Sequence, residues 1–187
     1  MSTEEFFDIC TEEGVPIGQI VERRTAHRNG ILHRTAHVWI VRRKNSGYDI
    51  LLQKRSCCKD SFPGFYDTSS AGHIPAGCEP LPSALRELEE ELGIRAEADQ
   101  LFFAGTFRSQ YEKQFYGSLF RDNEFTVVYV YDRPVDIRKL TLQEGEVEEV
   151  HWFDLDEVYA EIQRSRERIC VPKNGLEVLI RFLGRDA

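Results

Sequence analysis

The chain has 187 residues, a formal net charge of −8 and 41% hydrophobic residues, which suits one globular domain, residues 1–187, with its own core. The acidic balance argues against nucleic-acid-binding and anionic-membrane-binding surfaces, since both need basic patches. We therefore expect neither a nucleic acid nor a membrane as partner. An anionic substrate would need a metal ion or local basic side chains to bind.

The cysteines and the N-terminus favour a reduced protein of the cytoplasm. None of the five cysteines has zinc-site spacing, and Cys57 and Cys58 are adjacent, which is awkward for an ordinary disulfide. The first ten residues lack the basic and then apolar order of a secretory signal. No apolar run approaches the length of a membrane span.

The first predicted element is an N-terminal β-hairpin extension, residues 1–31, in which two short apolar runs flank Gly14. A basic cluster follows, which would either meet a substrate phosphate or form a solvated loop: Arg23, Arg24, His27 and Arg28. Residues 32–43 predict a strand buried on both faces, because their apolar run is continuous. Residues 48–55 predict a second strand that pairs with it as a hairpin. His37, inside the first of these strands, is expected to be structural.

The stretch 72–94 predicts a glycine-rich loop followed by an amphipathic helix. Pro80 and Pro82 suit the first turn of the helix, and Gly93 suits its end. A leucine-rich face is expected to pack on a sheet. A second face groups three carboxylates: Glu87, Glu90 and Glu91.

The grouped carboxylates have two interpretations. Like charges four residues apart repel each other, and no lysine on that face offsets Glu87 and Glu91. A hard cation such as Mg²⁺ would do so, because it takes carboxylate oxygens as ligands. An ordinary solvated acidic face is the alternative for a glutamate-rich helix taken alone.

The loop and the helix together match a longer pattern. Gly72 is followed at fixed spacing by Arg86-Glu87-Leu88, Glu90-Glu91 and Gly93-Ile94. This pattern resembles the Nudix box, and the chain is identified as a member of the Nudix hydrolase superfamily. The resemblance implies an α/β/α sandwich with a mixed β-sheet, to which the N-terminal hairpin is added. It also implies a helix that binds Mg²⁺ (or Mn²⁺).

The resemblance also implies a reaction and residue roles. The reaction is metal-dependent hydrolysis of a phosphoanhydride bond, in a nucleoside diphosphate linked to another group or in a related diphosphate. The implied metal ligands are Glu87, Glu90 and Glu91, with the backbone carbonyl of Ala71 or Gly72 as a neighbour. Arg86 would orient the carboxylates, and Glu87 or a later loop residue, Glu144 or Glu146, would accept a proton. Dimers are frequent in this family, so a homodimer is an open expectation.

The predicted substrate contacts come from basic side chains around the box. They are Arg24, Lys54 and His73. Later in the chain, an aromatic segment would either stack on a planar part of the substrate or complete a core: Tyr111, Phe115 and Tyr116.

One position departs from the box pattern. Cys78 stands where the family has its first glutamate, which supports the arginine and the loop. A thiol cannot pair with Arg86 as a carboxylate does, so either Glu79 substitutes after a small loop shift or the loop is held differently. The departure keeps open a second class of function, a non-catalytic nucleotide-binding sensor.

Residues 5–160 further resemble the branch of Nudix proteins related to isopentenyl-diphosphate isomerase. The isomerases hold a metal with three histidines and two acidic residues, and the matching positions here are His27, His33, His73, Asp122 and Glu124. Loop or hydrogen-bonding roles are the alternative for the histidines. Glu124 is also our candidate for a further acidic ligand of the hydrolase metal, with an ordinary surface charge as the alternative. The isomerases have a catalytic cysteine where this chain has Ala71, so isomerisation by that mechanism should fail.

Five elements are predicted after the box. Residues 101–110 and 125–131 predict strands, and the Val147/Val150/Trp152 pattern predicts a third. A helix is expected from about Asp154 to residue 166, and a short C-terminal helix over residues 176–183.

Overall fold

In the computed structural model, which describes residues 4–164 and 167–184, a nine-stranded mixed sheet lies between helices. The strands are β1 (Phe6–Cys10), β2 (Pro16–Glu22), β3 (His33–Arg43), β4 (Tyr48–Arg55), β5 (Tyr66–Asp67), β6 (Ser70–His73), β7 (Phe102–Phe115), β8 (Ser118–Tyr131) and β9 (Val147–Asp154). The helices are α1 (Arg23–Asn29), α2 (Pro80–Leu92), α3 (Leu155–Arg164) and α4 (Lys173–Phe182). The predicted α/β/α sandwich is confirmed.

Strand β3 is the centre of the sheet because it has partners on both sides. On one side β8 runs parallel to it, beginning at the His33–Glu124 pair. On the other side it pairs antiparallel with β6, beginning at Thr35–His73, and then with β4. Residues 33–41 are all buried, as a strand covered on both faces should be.

The two faces of the sheet pack against different helices. Side chains alternate along a strand, so Trp39 enters the core under α3 and α4, where it packs with Leu176. Ile40 enters the opposite core, where Leu88 and Leu92 anchor α2. Truncating one such leucine to alanine costs about 2–5 kcal/mol in comparable cores. Because its leucine face is fixed in this way, α2 presents its glutamates at the edge of the sheet.

The N-terminal hairpin reaches the centre of the molecule. β1 and β2 pair antiparallel, and β1 joins β3 through the Ile9–His33 bridge. Phe7 is fully buried and its ring stacks on His33 and His73, with centroids 4.8 and 4.4 Å apart. A Cβ at Gly14 would lie 2.3 Å from the ring of Phe125, so the hairpin turn needs a glycine. The hairpin therefore supports residues that the sequence marks as functional.

Three predicted boundaries differ from the structure. The basic cluster forms helix α1, which Glu22 caps by accepting the backbone N–H groups of Arg24 and Thr25. β7 and β8 form one long hairpin that includes the aromatic segment and turns at Tyr116-Gly117. Helix α4 begins at Lys173 rather than 176, and the end of the other predicted helix, 165–166, lies outside the described residues. In the ranges that the structure describes, no helix is both long and apolar enough to cross a membrane.

Candidate functional site

A cleft of about 850 Å³ brings together the two groups of residues that the sequence singled out. Helix α2 lines it with the side chains of the predicted box: Arg86, Glu87, Glu90 and Glu91. Helix α1 and the sheet line it with four of the five residues of the isomerase-like set: His27, His73, Asp122 and Glu124. The fifth, His33, is fully buried behind them.

Glu91 is the most deeply placed carboxyl of the helix. It is 5% exposed, and its Oε2 accepts hydrogen bonds of 3.2 Å from the backbone N–H of Ala71 and from Nε2 of Gln53. Burial raises the pKa of Glu91 to about 7. No salt bridge reaches this carboxyl from the described parts of the chain, so it is a buried acid that a cation would stabilise.

The side chain of Glu87 occupies space that is open because residue 72 is a glycine. A Cβ at Gly72 would lie 2.2 Å from Cδ of Glu87, so only glycine permits this approach. Burial raises the pKa of Glu87, and Arg86, which donates from Nη2 to Oε1 at 2.5 Å, opposes that rise. Arg86 Nε also lies 3.7 Å from Glu90 Oε2. Within the described residues the carboxylate partners of Arg86 are Glu87 and Glu90, and Glu79 does not substitute for the missing glutamate.

The loop around Cys78 is instead held by an ion pair between Asp8 of the N-terminal hairpin and Arg34 of β3. Oδ2 of Asp8 accepts hydrogen bonds from the backbone N–H of Gly77 at 2.8 Å and from Nη2 of Arg34 at 2.9 Å. Arg34 also donates to the carbonyl of Cys78 at 2.9 Å. The side chains of Asp8 and Arg34 are 12% and 7% exposed. Of the two alternatives for the departure at Cys78, the structure shows the loop held differently.

The three histidines form a compact cluster between α1, β3 and β6. One ring nitrogen from each of His27, His33 and His73 lies within 4.8 Å of the others, and the Nε2 atoms of His27 and His73 are 3.2 Å apart. In residues 4–164 and 167–184, no other set of three His, Cys, Asp or Glu residues meets this spacing. The ligand atoms of the box glutamates are therefore less closely assembled than the histidines.

The tautomer of His33 suits a metal ligand. Nδ1 lies 2.8 Å from the carbonyl of Ile31 and must donate to it, so Nε2 carries the lone pair. This Nε2 is buried without a hydrogen-bond partner in the described structure and lies 3.8 Å from Glu124 Oε1. A backbone carbonyl that fixes the second nitrogen is the usual support of a metal-binding histidine.

Burial controls the charges around the histidines. It lowers the pKa of His27 to about 3 and that of His33 to about 4, and it lowers the pKa of His73 well below its usual range. Burial, aided by the nearby charge of Asp122, raises the pKa of Glu124 well above its usual range. Neutral imidazoles beside carboxyl groups fit a transition-metal ion such as Zn²⁺ or Mn²⁺.

The structure places the predicted acidic ligand Glu124 with the histidines. Its Oε1 is 3.6 Å from Nε2 of His73, and its Oε2 accepts a hydrogen bond of 3.2 Å from Thr35. The parallel β3–β8 register sets this position, because Glu124 is paired with His33. Glu146 lines the cleft and pairs with Lys59, whereas Glu144 does not line it.

Two predicted substrate contacts lie outside the cleft. Lys54 pairs with Glu148 and Glu149 at 3.1 and 3.2 Å, because strand alternation turns its side chain away from the cleft. Arg24 is exposed and lines a neighbouring depression instead. His73, the third predicted contact, does line the cleft.

Other basic side chains line the cleft in their place. The nearest in sequence are Arg55, which donates to Asp67 at 3.1 Å, and Lys59. The two basic residues that end the predicted strand 48–55 indicated a basic side chain at this place. Because consecutive side chains of a strand point to opposite faces, Arg55 lines the cleft and Lys54 does not. Of the aromatic segment, Tyr111 lines the cleft, while Tyr116 is 74% exposed at the hairpin turn.

Comparison with known proteins agrees with this geometry. The NUDIX domain family model matches residues 31–172. An uncharacterized Nudix hydrolase of Clostridium acetobutylicum is 37% identical over 83% of this chain and 72% of its own length. Nudix hydrolase 3 of Arabidopsis thaliana is 42% identical over 82% of this chain, which spans only 20% of that longer protein. An isopentenyl-diphosphate Delta-isomerase of Dinoroseobacter shibae is 29% identical over 82% of this chain and 79% of its own length.

Solved structures share the fold at low identity. A Deinococcus radiodurans protein superposes with a TM-score of 0.69 at 19% identity, covering 94% of this chain and 98% of its own. The NUDIX domain of Shewanella oneidensis NrtR, solved in complex with ADP ribose, gives a TM-score of 0.56 at 19% identity, covering 81% and 85%. Family model, curated relatives and fold agree with the box residues in the cleft, and this chain therefore belongs to the NUDIX domain family and is a Nudix hydrolase.

Proposed function

We propose that this protein hydrolyses a phosphoanhydride bond in a nucleoside diphosphate linked to another group, or in a related diphosphate, with Mg²⁺ or Mn²⁺ as cofactor. The observation that supports this most strongly is the packing of Glu91 against Ala71 and of Glu87 against Gly72, at the edge of a cleft that is lined by both acidic and basic side chains. Anionic substrates and divalent cations both fit such a surface.

The residues that would hold the metal are Glu87, Glu90 and Glu91, with the backbone carbonyl of Ala71 or Gly72 beside them. Their donor atoms are all oxygens, which suits Mg²⁺ and Mn²⁺. The buried carboxyl of Glu91 has hydrogen bonds but no salt bridge from the described residues, and such a cation would stabilise its charged form. When bound, the ion polarises phosphoryl oxygens and lowers the pKa of water.

The protein side chains orient the substrate and move the proton. Arg86 holds Glu87 in place through the 2.5 Å hydrogen bond. Arg55 and Lys59 supply positive charge at the cleft wall for the phosphates. Glu87, or Glu146 from the loop before β9, accepts the proton from the attacking water.

The histidine cluster would hold a second ion in the same cleft, with Glu124 as a neighbouring ligand. Its nitrogen-rich donor set suits Zn²⁺ or Mn²⁺ better than Mg²⁺. The isomerase-like residues do not make isomerisation a second proposed activity, because the methyl group of Ala71 has no proton to transfer.

The test is a product-release screen on the purified protein. The panel contains nucleoside diphosphates, dinucleotides, nucleotide sugars, ADP-ribose, coenzyme A and isopentenyl diphosphate, with Mg²⁺, with Mn²⁺ and with chelator. ADP-ribose is included because a structural relative binds it. We expect phosphate-ester products from one substrate class only when metal is present. Clear binding without turnover would contradict hydrolysis and favour the nucleotide sensor.

A further inference from the structure

A buried histidine outside the metal-binding groups lines the cleft. His37 lies in β3, is 7% exposed and contributes to the cleft wall. Strand alternation puts its side chain on the same face as those of His33 and Thr35. The proposed hydrolysis assigns no role to His37. The sequence predicted a structural role for it, and a structural histidine should have its hydrogen bonds satisfied.

Along the strand ladder, His37 lies near residues of both candidate metal-binding groups. Across the antiparallel ladder His37 is paired with Ala71, and the next pair on the same face, two residues along, is Thr35 with His73. Paired side chains share a face, with Cβ atoms about 4.5–5.5 Å apart. The backbone N–H of Ala71 binds Glu91. His37 is thus next to Ala71, which is bonded to the box helix, and two residues along the ladder from the pair that contains His73.

The hydrogen bonds expected of a structural histidine are missing. Nδ1 of His37 is buried and has no hydrogen-bond partner in the part of the chain that the structure describes. The ring meets the edge of Phe107, with centroids 5.7 Å apart, and Asp67 is the charged group that acts on it. Burial lowers the pKa of His37 to about 4, so the ring is neutral near pH 7.

We propose that His37 contacts the substrate and donates a hydrogen bond from Nε2–H to an oxygen of the bound diphosphate. A neutral imidazole has one donor and one acceptor nitrogen. Nδ1 has no acceptor beside it in the described residues, and the tautomer with the hydrogen on Nε2 avoids burying an unpaired N–H. We therefore assign the hydrogen to Nε2, as the nitrogen that would meet a molecule in the cleft. This inference rests on the proposed function, because it assigns a partner to that reaction's substrate.

The test compares two substitutions with opposite expectations. His37→Gln keeps an N–H donor near the position of Nε2, whereas His37→Leu removes it. We expect His37→Leu to lower kcat/KM about ten- to hundredfold, as for one lost hydrogen bond to a charged group. His37→Gln should stay within about threefold of wild type. His151→Leu, at an exposed histidine outside the cleft, is the control for losing an imidazole and should match wild type.

A stability measurement separates this role from a structural one. His37→Leu removes an unsatisfied buried polar atom, so its Tm should equal or exceed that of wild type while its activity falls. A structural histidine predicts the opposite, a lower Tm with activity retained in the folded fraction. Wild-type activity in His37→Leu would overturn the proposal. Equal losses in both variants would overturn it too, because the glutamine keeps the donor.

Failure of the proposed function is distinguishable from failure of this inference. If wild type hydrolyses nothing in the panel, hydrolysis is contradicted, and calorimetric binding of ADP-ribose with Mg²⁺ replaces kcat/KM. The donor role then predicts affinity about tenfold or more weaker for His37→Leu and unchanged for His37→Gln. Equal affinities in all three proteins would overturn the inference.

Discussion

The two candidate metal-binding groups of the cleft are assembled in opposite ways. The box glutamates come from one helix, and Glu90 is 51% exposed while Arg86 neutralises its neighbour Glu87. The histidines come from three elements, and their closest pair, His27 and His73, is 46 residues apart in the chain. Helix periodicity therefore suffices to form the first group, whereas the second depends on sheet register and on the N-terminal hairpin.

The largest expected effect on turnover comes from a substitution that changes only the glutamate group. Glu91→Gln keeps the hydrogen-bonding shape but removes the charge that a divalent cation needs, so turnover should fall about 10³-fold or more, as for the loss of several kcal/mol of metal stabilisation. Glu89→Gln is the matched control, because Glu89 lies on the same helix, pairs with exposed Arg95 and should leave turnover unchanged. Steady-state rates with Mg²⁺ measure both. Full activity in Glu91→Gln would refute the metal assignment.

A second substitution tests whether Asp8 of the N-terminal hairpin stabilises the loop that precedes the box helix. Asp8→Asn leaves Arg34 buried without its counter-charge and weakens the tie to Gly77, so unfolding free energy should fall by about 3–5 kcal/mol. Urea denaturation measures this. Asp136→Asn, which breaks an exposed pair with Arg138, should change it by less than about 1 kcal/mol. Equal effects of the two substitutions would show that Asp8 does not hold the loop.

The buried acid of the glutamate group also predicts a pH dependence in the metal-free protein. Burial raises the pKa of Glu91 from 4.5 to about 7, so the folded state binds more protons than the unfolded state between these values. Stability should therefore fall as pH rises through this window, by about 2–3 kcal/mol.

Comparison with Glu91→Gln isolates this contribution, because the other titrating groups are common to both proteins. The stability difference between wild type and variant, from urea unfolding in chelator, should change from pH 5 to pH 8 in the direction that disfavours wild type. Parallel pH profiles would contradict a raised pKa at Glu91.

The smallest expected effect concerns the histidine group. His33→Asn removes the lone pair of Nε2, so affinity for Zn²⁺ or Mn²⁺ at the histidines should fall about 10- to 100-fold. Competition with a chromophoric chelator measures the affinity. The activating Mg²⁺ concentration should not change, since the proposed ligands of Mg²⁺ are the oxygens of the box glutamates. A matching change in Mg²⁺ activation would mean that the two groups bind one shared ion.

The contrast between a group formed by one helix and a group formed by several strands also explains which features of the structure the sequence predicts. The box helix and its end at Gly93 follow from local periodicity and spacing, and the sandwich follows from the resemblance that the box motif carries. The tie between Asp8 and Gly77 spans 69 residues, and no local pattern indicates it. Helix α1 was not predicted because glutamate is not among the usual capping residues, although Glu22 caps it.

Register accounts for the remaining differences at the site. Glu124 lies beside His33 because β3 and β8 are parallel with that pairing, which the sequence of either strand leaves open. Lys54 and Arg55 are adjacent, yet only Arg55 lines the cleft, since consecutive side chains of a strand point to opposite faces.

Anomalous diffraction from crystals soaked in Mn²⁺ tests most directly whether the cleft contains two separate metal-binding groups. The account predicts one peak within about 2.6 Å of the carboxylate oxygens of Glu87, Glu90 or Glu91 and a second peak at the nitrogens of His27, His33 and His73. In Glu91→Gln crystals the first peak should disappear and the second remain. A single peak at the histidines, with the box glutamates empty in wild type, would contradict the account.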